Sequence, residues 1–300
     1  MRTRPDTPPA TSPAPGGATP PPAAPHPMTG VDAFAPAEIA RLVATRGVAK
    51  ANARPAATFV LGVLAGAFIA LGGVLSTTVA TGSGLGYGPT RLLAGTAFSL
   101  GLILVVVAGA ELFTGNNLIV MAVARGEVSA ARLLGNWAIV WVANLVGALS
   151  VAAMVWLADW WAQGDAEVGG TAVRIAVDKA TLPWATVFVR AVLANALVCL
   201  AVWLATAGRT VADKVLAIVF PITAFVAAGF EHSVANMYFL PAGALIGREP
   251  AFAGAVPEGA LDVGSIAWNL SAATIGNVVG GAVLVGLVYW LVYLRAGDVR

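Results

Sequence analysis

The segment Gly229-Phe230-Glu231-His232-Ser233-Val234-Ala235-Asn236-Met237 is a polar island inside an apolar run, with Val215 to Ala228 before it and Tyr238 to Ile246 after it. Together the two flanks are long enough to cross a bilayer, so the island sits near mid-depth. An ionisable side chain at that depth costs ~2.5–3.5 kcal/mol on insertion scales. Glu231 and His232 must therefore face protein or a water-filled path, which makes them candidates for a functional site. A near copy precedes them. Ala108-Gly109-Ala110-Glu111-Leu112-Phe113-Thr114-Gly115-Asn116 shares the pattern Ala-Gly-x-Glu-x-x-x-x-Asn and interrupts an apolar run of its own. Two such breaks at matching places in two halves are the mark of discontinuous helices that meet at the bilayer midplane.

The rest of the chain agrees with a membrane setting. At 58% hydrophobic and 11% charged residues it is too poor in charge for a soluble core and reads as a polytopic membrane protein. The net charge of +2, with basic residues spread through the loops, leaves no footprint for nucleic acid. Cys199 is the single cysteine and lies in an apolar segment, where it suits a small core hydrophobe and allows no intrachain disulfide or cysteine metal cluster. Residues 1–30 are rich in Pro, Ala, Thr and Gly without an apolar h-region, and are expected to form a disordered cytoplasmic tail. Residues 31–55 read as an amphipathic N-terminal helix. From Pro36 to Ala53, Ile39, Leu42, Val43 and Val48 are interleaved with Glu38, Arg41, Arg46 and Lys50, a pattern expected to lie on the membrane face or on a neighbouring subunit.

Residues 56–294 carry six expected transmembrane helices, and residues 295–300 a cytoplasmic tail. The spans run about Ala56 to Ala80, Leu92 to Ala124 (broken at Glu111 to Asn117), Leu133 to Ala158, Trp184 to Ala207, Val215 to Ile246 (broken at Glu231 to Asn236) and Ile266 to Leu294. The basic residues of the N-terminal flank, of the loops with Arg125, Arg132, Arg209 and Lys214, and of the C-terminal tail fall on one side. Arg91, Arg174, Lys179 and Arg248 fall on the other, so the positive-inside rule puts both termini in the cytoplasm. Three spans per half give the halves opposite orientation. Asn144-Leu145-Val146-Gly147 echoes Asn277-Val278-Val279-Gly280, and Leu64-Ala65-Gly66 echoes Leu193-Ala194-Asn195, in the same order as the two breaks. The fold class read from this is an all-α membrane protein of two inverted three-helix repeats, with helices 2 and 5 broken.

Among the polar residues, His232 admits a structural reading as a satisfied histidine and a pathway reading. On a broken helix in lipid beside Glu231, the pathway reading is preferred. Glu111 and Glu231 are expected to accept hydrogen bonds from backbone N–H groups freed at the breaks, with Asn116 and Asn236 as further structural polar residues there. Thr114 could cap the second half-helix or reach across toward His232. Asn195, in the middle of an apolar span, could make an interhelical hydrogen bond or line a pore. Lys179 could anchor the chain at the interface or concentrate anions at a vestibule. The sequence contains no phosphate loop, no paired metal ligands and no nucleophile beside a base, so neither enzyme activity nor a metal or cofactor is expected.

Residues Ala108 to Asn117 and Gly229 to Met237, with Leu197-Val198-Cys199-Leu200-Ala201-Val202-Trp203, resemble the signatures of the formate/nitrite transporter family of anion channels. The resemblance extends from about Ala56 to Leu294, and Glu111 stands where some formate channels have Asp. It implies an aquaporin-like protomer with its own pore, assembled as a homopentamer in the lipid of a bacterial inner membrane. It also implies proton-linked passage of formate. Nitrite, hydrosulfide, acetate or lactate are the alternatives within the family. By the same resemblance His232 is the central pore histidine, with Thr114 and Asn195 as its hydrogen-bonding partners, and Lys179 is the vestibule residue. Leu102, Leu112 and Phe225 form a cytoplasmic constriction, and Phe98, Phe113 and Val198 a periplasmic one. An aquaporin-type channel for neutral solutes would call for Asn-Pro-Ala at both breaks, and neither break contains proline.

Overall fold

A computed structural model of the chain describes residues 32–295, and every regular element among them is helical. The tail expected over residues 1–30 lies outside the described residues, as does nearly all of the 295–300 tail. The described helices belong to one unit, Ala33–Arg300. They are α1 (Pro36–Ala51), α2 (Pro55–Ala80), α3 (Tyr87–Gly109), α4 (Phe113–Ala124), α5 (Ala130–Leu157), α6 (Glu167–Ala180), α7 (Trp184–Ala207), α8 (Val211–Ala227), α9 (Ser233–Ile246) and α10 (Val263–Tyr293). Local chemistry sets several of the starts. Proline occupies the first turn of α1 and α2, where no N–H is needed. Ser129 caps α5, Asp262 caps α10, and Thr210 with Asp213 forms a capping box on α8. Asp262 accepts from Ser265 N–H at 2.7 Å, and this hydrogen bond holds its carboxyl below the usual range.

Among the described residues, five helices are long and apolar enough to cross a membrane: α2, α3, α5, α7 and α10. The remaining expected crossing, the fifth in chain order, is split between α8 and α9, each too short to cross alone. Both breaks have the same backbone course. Gly109 (φ 85) and Gly229 (φ 71) turn left-handed at the ends of α3 and α8, a region that costs a Cβ-bearing residue, and the chain then runs extended through Leu112 and His232 into the next half-helix. The last turn of α3, Leu104–Gly109, and the stretch Val279–Leu287 of α10 are π-helical, and α4 passes through a 3-10 turn at Asn117–Ile119.

Two elements depart from the sequence reading. The stretch between the third and fourth spans was expected to be a loop, but it contains α6, whose face of Val168, Ala172, Val173 and Ala176 is buried while Arg174 and Asp178 are exposed. That face meets α9 closely enough that a Cβ on Gly243 would lie 2.2 Å from Ala176 Cβ. The second departure is α1, which was expected on the membrane or on a neighbour. Its apolar face instead packs within the chain, where Ile39, Ala40, Val43 and Ala44 meet Leu118, Met121, Trp203 and Val285. With α6 recognised, each half has five helices, α1–α5 and α6–α10, in the same order.

The halves cross their own helices in the same way. In the first, a Cβ on Gly66 would stand 2.0 Å from the Asn144 carbonyl oxygen, and one on Gly147 1.9 Å from that of Val63, so α2 and α5 touch backbone to backbone. In the second, Gly276 and Gly280 bring α10 equally close to the carbonyls of Phe188 and Val192 on α7, at 2.4 and 2.1 Å. These four crossing points fix the scaffold from which both breaks are hung.

Candidate functional site

Each break is closed by the same frame of side chains. At the first, Glu111 Oε1 accepts from Lys50 Nζ at 2.8 Å and Oε2 from Asn116 Nδ2 at 2.7 Å. Asn116 Nδ2 also donates to Asn136 Oδ1 at 2.9 Å, and Asn136 Nδ2 to the Lys50 carbonyl at 3.3 Å. At the second, Glu231 Oε1 accepts from Lys179 Nζ at 2.9 Å and Oε2 from Asn236 Nδ2 at 2.7 Å. Asn236 Nδ2 donates to Asn269 Oδ1 at 2.8 Å, and Asn269 Nδ2 to the Lys179 carbonyl at 2.9 Å. Here α1 and α6 do equivalent work, each delivering a lysine to a carboxylate, partly buried for Glu111 and buried for Glu231.

The freed backbone is held by a second asparagine in each half. Asn144 Oδ1 accepts from Phe113 N–H at 2.9 Å, while its Nδ2 donates to the carbonyls of Gly62 (2.7 Å) and Glu111 (2.9 Å). Asn277 Oδ1 accepts from Ser233 N–H at 2.8 Å, and its Nδ2 donates to Ala191 (2.8 Å) and Glu231 (3.1 Å). The role expected of Glu111 and Glu231, serving backbone N–H groups, therefore belongs to Asn144 and Asn277. An amide can serve an N–H and a carbonyl together, whereas an ionised carboxylate only accepts. Lys179 also differs from expectation. It lines a cavity, yet its charge is matched by Glu231 and so is not a free vestibule cation.

His232 is the residue just before α9, and its Nδ1 accepts from Ala235 N–H at 3.1 Å as a side-chain cap. In the neutral ring this assigns the proton to Nε2, which lies 2.9 Å from Thr114 Oγ1 and donates to it across the two breaks. The Phe225 ring stacks on the imidazole at 5.8 Å between centroids. The matching position at the first break is Leu112, so the polar group exists on one side only. Asn195, expected as another partner of His232, is one step removed. It donates to the carbonyls of Thr114 (3.3 Å) and Asn277 (2.6 Å) and to Asn117 Oδ1 (2.8 Å), which ties the Thr114 backbone to α7 and α10.

Two cavities open toward this centre. One, of about 370 Å³, lies on the α1 side and is lined by Arg46, Lys50, Glu111, Leu102 and Leu112. The other, of about 310 Å³, lies on the α6 side and is lined by Arg91, Lys179, Arg190, Phe98, Phe225 and His232. Between them is a neck of about 10 Å³ walled by Ile69, Phe98, Leu102, Leu112, Val198, Ile222, Phe225 and His232. Five of the six residues expected at the two constrictions, Leu102, Leu112, Phe225, Phe98 and Val198, wall this one small space together with His232. Leu102 and Leu112 do lie toward the α1 side, but Phe225 sits with Phe98 on the α6 side, their rings edge to face at 5.7 Å. Phe113 lines none of these cavities and packs edge-on against Trp137 at 6.2 Å.

A sequence model described as formate/nitrite transporter matches residues 37–291. The chain belongs to the formate/nitrite transporter family. It is 41% identical over 276 residues to the formate channel FocA of Escherichia coli K12, covering 89% of this chain and 97% of that one. Among solved structures it is similar to a pentameric formate channel with formate bound, at 36% identity and TM-score 0.73, covering 80% of this chain and 98% of that one. It is also similar to an FNT family ion channel at 30% identity and TM-score 0.74, covering 85% and 98%.

In this formate/nitrite transporter, sequence reading missed Lys50, Asn136, Asn269, Ile69 and Ile222. The repeat held the signal for each. Lys50 matches Lys179 and Asn136 matches Asn269, while Ile69 matches Val198, Leu102 matches Ile222 and Leu112 matches His232. The neck is therefore walled largely by symmetry-related pairs, and the symmetry fails chemically at the last of them. Arg91, Arg190 and Arg46 were also missed as cavity residues, having been counted only as loop or interfacial charges or, for Arg190, not at all.

Proposed function

We propose that this chain is a proton-linked channel or transporter that moves formate, or a similarly small monovalent anion, across a bacterial cytoplasmic membrane. It works as one subunit of a homopentamer with a pathway in each subunit and both termini in the cytoplasm. The observation that carries this reading is the position of His232. It stands in the wall of the neck, with Nε2 turned to Thr114, between two cavities that each hold cations. The similarity to a formate channel and to a pentamer with formate bound supports the choice of substrate and assembly.

The physical logic follows from the size of the neck. A space of about 10 Å³ holds no more than roughly one water, so an anion must leave its hydration shell to enter. An unpaired charge in so apolar a wall is heavily penalised, whereas the neutral acid is not. An anion gathered in either cavity therefore crosses best after taking up a proton at the threshold, where the imidazole N–H and the Thr114 hydroxyl offer the polar contacts along the neck. Net movement is then of anion plus proton.

Purified protein in proteoliposomes loaded with a pH-sensitive dye tests this directly. An inward formate gradient should acidify the lumen faster than in protein-free vesicles, and the rate at fixed total formate should rise as external pH falls. Nitrite, hydrosulfide and lactate in the same assay rank the substrates. Formate flux indistinguishable from empty vesicles would remove the proposed substrate, and flux without lumenal acidification would remove the proton linkage.

A further inference from the structure

We infer that Arg91 and Arg190 form an anion-collecting site in the α6-side cavity, and that Lys179 serves as the strut that holds Glu231. The inference rests on the proposed anion traffic and names the groups that receive the anion on that side. Three cations line the cavity, and their partners divide them. Lys179 Nζ is 2.9 Å from Glu231 Oε1, and that carboxylate is buried, so the pair is electrically closed. Arg91 and Arg190 take part in no ion pair among the described residues. Asp178 is the other carboxylate lining the cavity; it is exposed and paired with neither arginine.

Both guanidinium groups are held in place without being neutralised. Arg91 donates from Nε to the Ala227 carbonyl at 3.3 Å and from an Nη to Val226, and Arg190 donates from Nη1 to Gly229 at 3.5 Å. Val226 and Ala227 are the last residues of α8 and Gly229 stands in the turn just beyond it, where the carbonyls of the helix end carry partial negative charge. Carbonyl dipoles orient a guanidinium but leave its full charge in place. Each arginine also keeps donors unused out of five, in a side chain only partly exposed. The same cavity reaches Phe98, Phe225 and His232, so an anion held by the arginines is already at the mouth of the neck. A planar carboxylate or nitrite offers the two-oxygen edge that a guanidinium binds best.

The test uses the chain's own cysteine content. Cys199 is the single cysteine and is fully buried, so a cysteine introduced at the cavity is the one exposed target. Arg190→Cys is chosen first because it gives up only one long hydrogen bond. In proteoliposomes at low ionic strength and limiting formate, the variant should carry roughly two- to five-fold less flux than wild type. Modification with the cationic reagent MTSET should restore flux and the anionic reagent MTSES should lower it further. Raising salt should compress the difference. Equal effects of the two reagents, or none, would overturn the inference.

A second measurement needs no transport. In detergent, the ratio of MTSES to MTSET reaction rates at Arg190→Cys reports the local potential. Adding Arg91→Gln should lower that ratio roughly two- to five-fold, because both arginines feed one field. An unchanged ratio would sink the shared site. If wild type carries no small anion while the ratio still responds, the transport reading fails and the cationic site stands.

Discussion

At the scale of single residues, the chemistry is an accounting of buried polar groups in a setting with no water to spare. Lys179 and Glu231 illustrate it, since breaking the pair leaves a carboxylate with a side chain only 3% exposed. Lys179→Met should cost about 3–5 kcal/mol and show as loss of folded protein in detergent thermal melts. The double variant Lys179→Met with Glu231→Gln should recover most of it, because a neutral amide can still bond Asn236. A double variant no more stable than the single one would show that the ion pair is not what holds the frame. His232 has two jobs that substitution can separate. His232→Asn keeps an acceptor for Ala235 N–H but cannot also reach Thr114, so the melt should move little while formate flux falls ~10-fold, the value of a good hydrogen bond to a charged group. Flux equal to wild type would leave His232 as a cap and nothing more. Glu231 and His232 were legible in the sequence because a charge in an apolar run is expensive. Lys50 was not, because in its own helix it looks like any solvated lysine, and its carboxylate partner is distant in sequence.

At the scale of helices, legibility follows how strongly the periodic signal stands above its surroundings. The six apolar runs and both breaks could be read from composition alone, and the repeat from the order of short matches. The helix α6 could not. Gly169 and Gly170 lower its helix propensity, and although Val168, Ala172, Val173 and Ala176 recur at helical spacing, the segment is too polar to stand out by composition. The π-helical last turn of α3 and the π-helical stretch inside α10 also leave no trace in residue type. Those crossings allow a direct test. A methyl group at Gly147 would fall 1.9 Å from the Val63 carbonyl oxygen, which a rigid backbone cannot avoid, whereas one at Gly135 on the same helix meets nothing within 4 Å. Gly147→Ala should destabilise by ~1–3 kcal/mol or more through overpacking. Gly135→Ala should be neutral or add up to ~1 kcal/mol, as alanine usually does in a helix. Equal melts for the two would mean that α2 and α5 can separate without loss, against the backbone contact between them.

At the scale of the whole molecule, the two halves are copies with opposite orientation, and that fixes which segments can share a compartment. Leu294, next to the last described residue, is buried in the same cluster as Ile39 and Val43, so the chain returns to the α1 face. The segment before α6, around the exposed Asp165, leads into the helix whose Ile175, Asp178 and Lys179 line the cavity at the other end of the neck. The α1 face also has Arg125 and Arg209 in its connecting segments and Arg132 and Lys214 in the first turns of α5 and α8, which favours the cytoplasm for that side. On the opposite face, Arg91 and Lys179 are drawn inward onto carbonyls and a carboxylate, so fewer of its cations meet the lipid headgroups. A reporter active only in the cytoplasm should therefore be active when fused after Arg300 and silent when inserted at Asp165, with a periplasmic reporter giving the reverse. Asp165 is a fair insertion point because it is exposed and lies in a turn, φ 53, ahead of α6. Like signals at both sites would mean an odd number of crossings between α6 and the C-terminus is wrong, and with it the inverted repeat. Reversed signals would keep the repeat and place α1 with its arginines outside, in which case Arg46, which bonds the Thr206 hydroxyl and has no carboxylate partner among the described residues, would be the charge that meets an incoming anion first, since Lys50 is paired with Glu111.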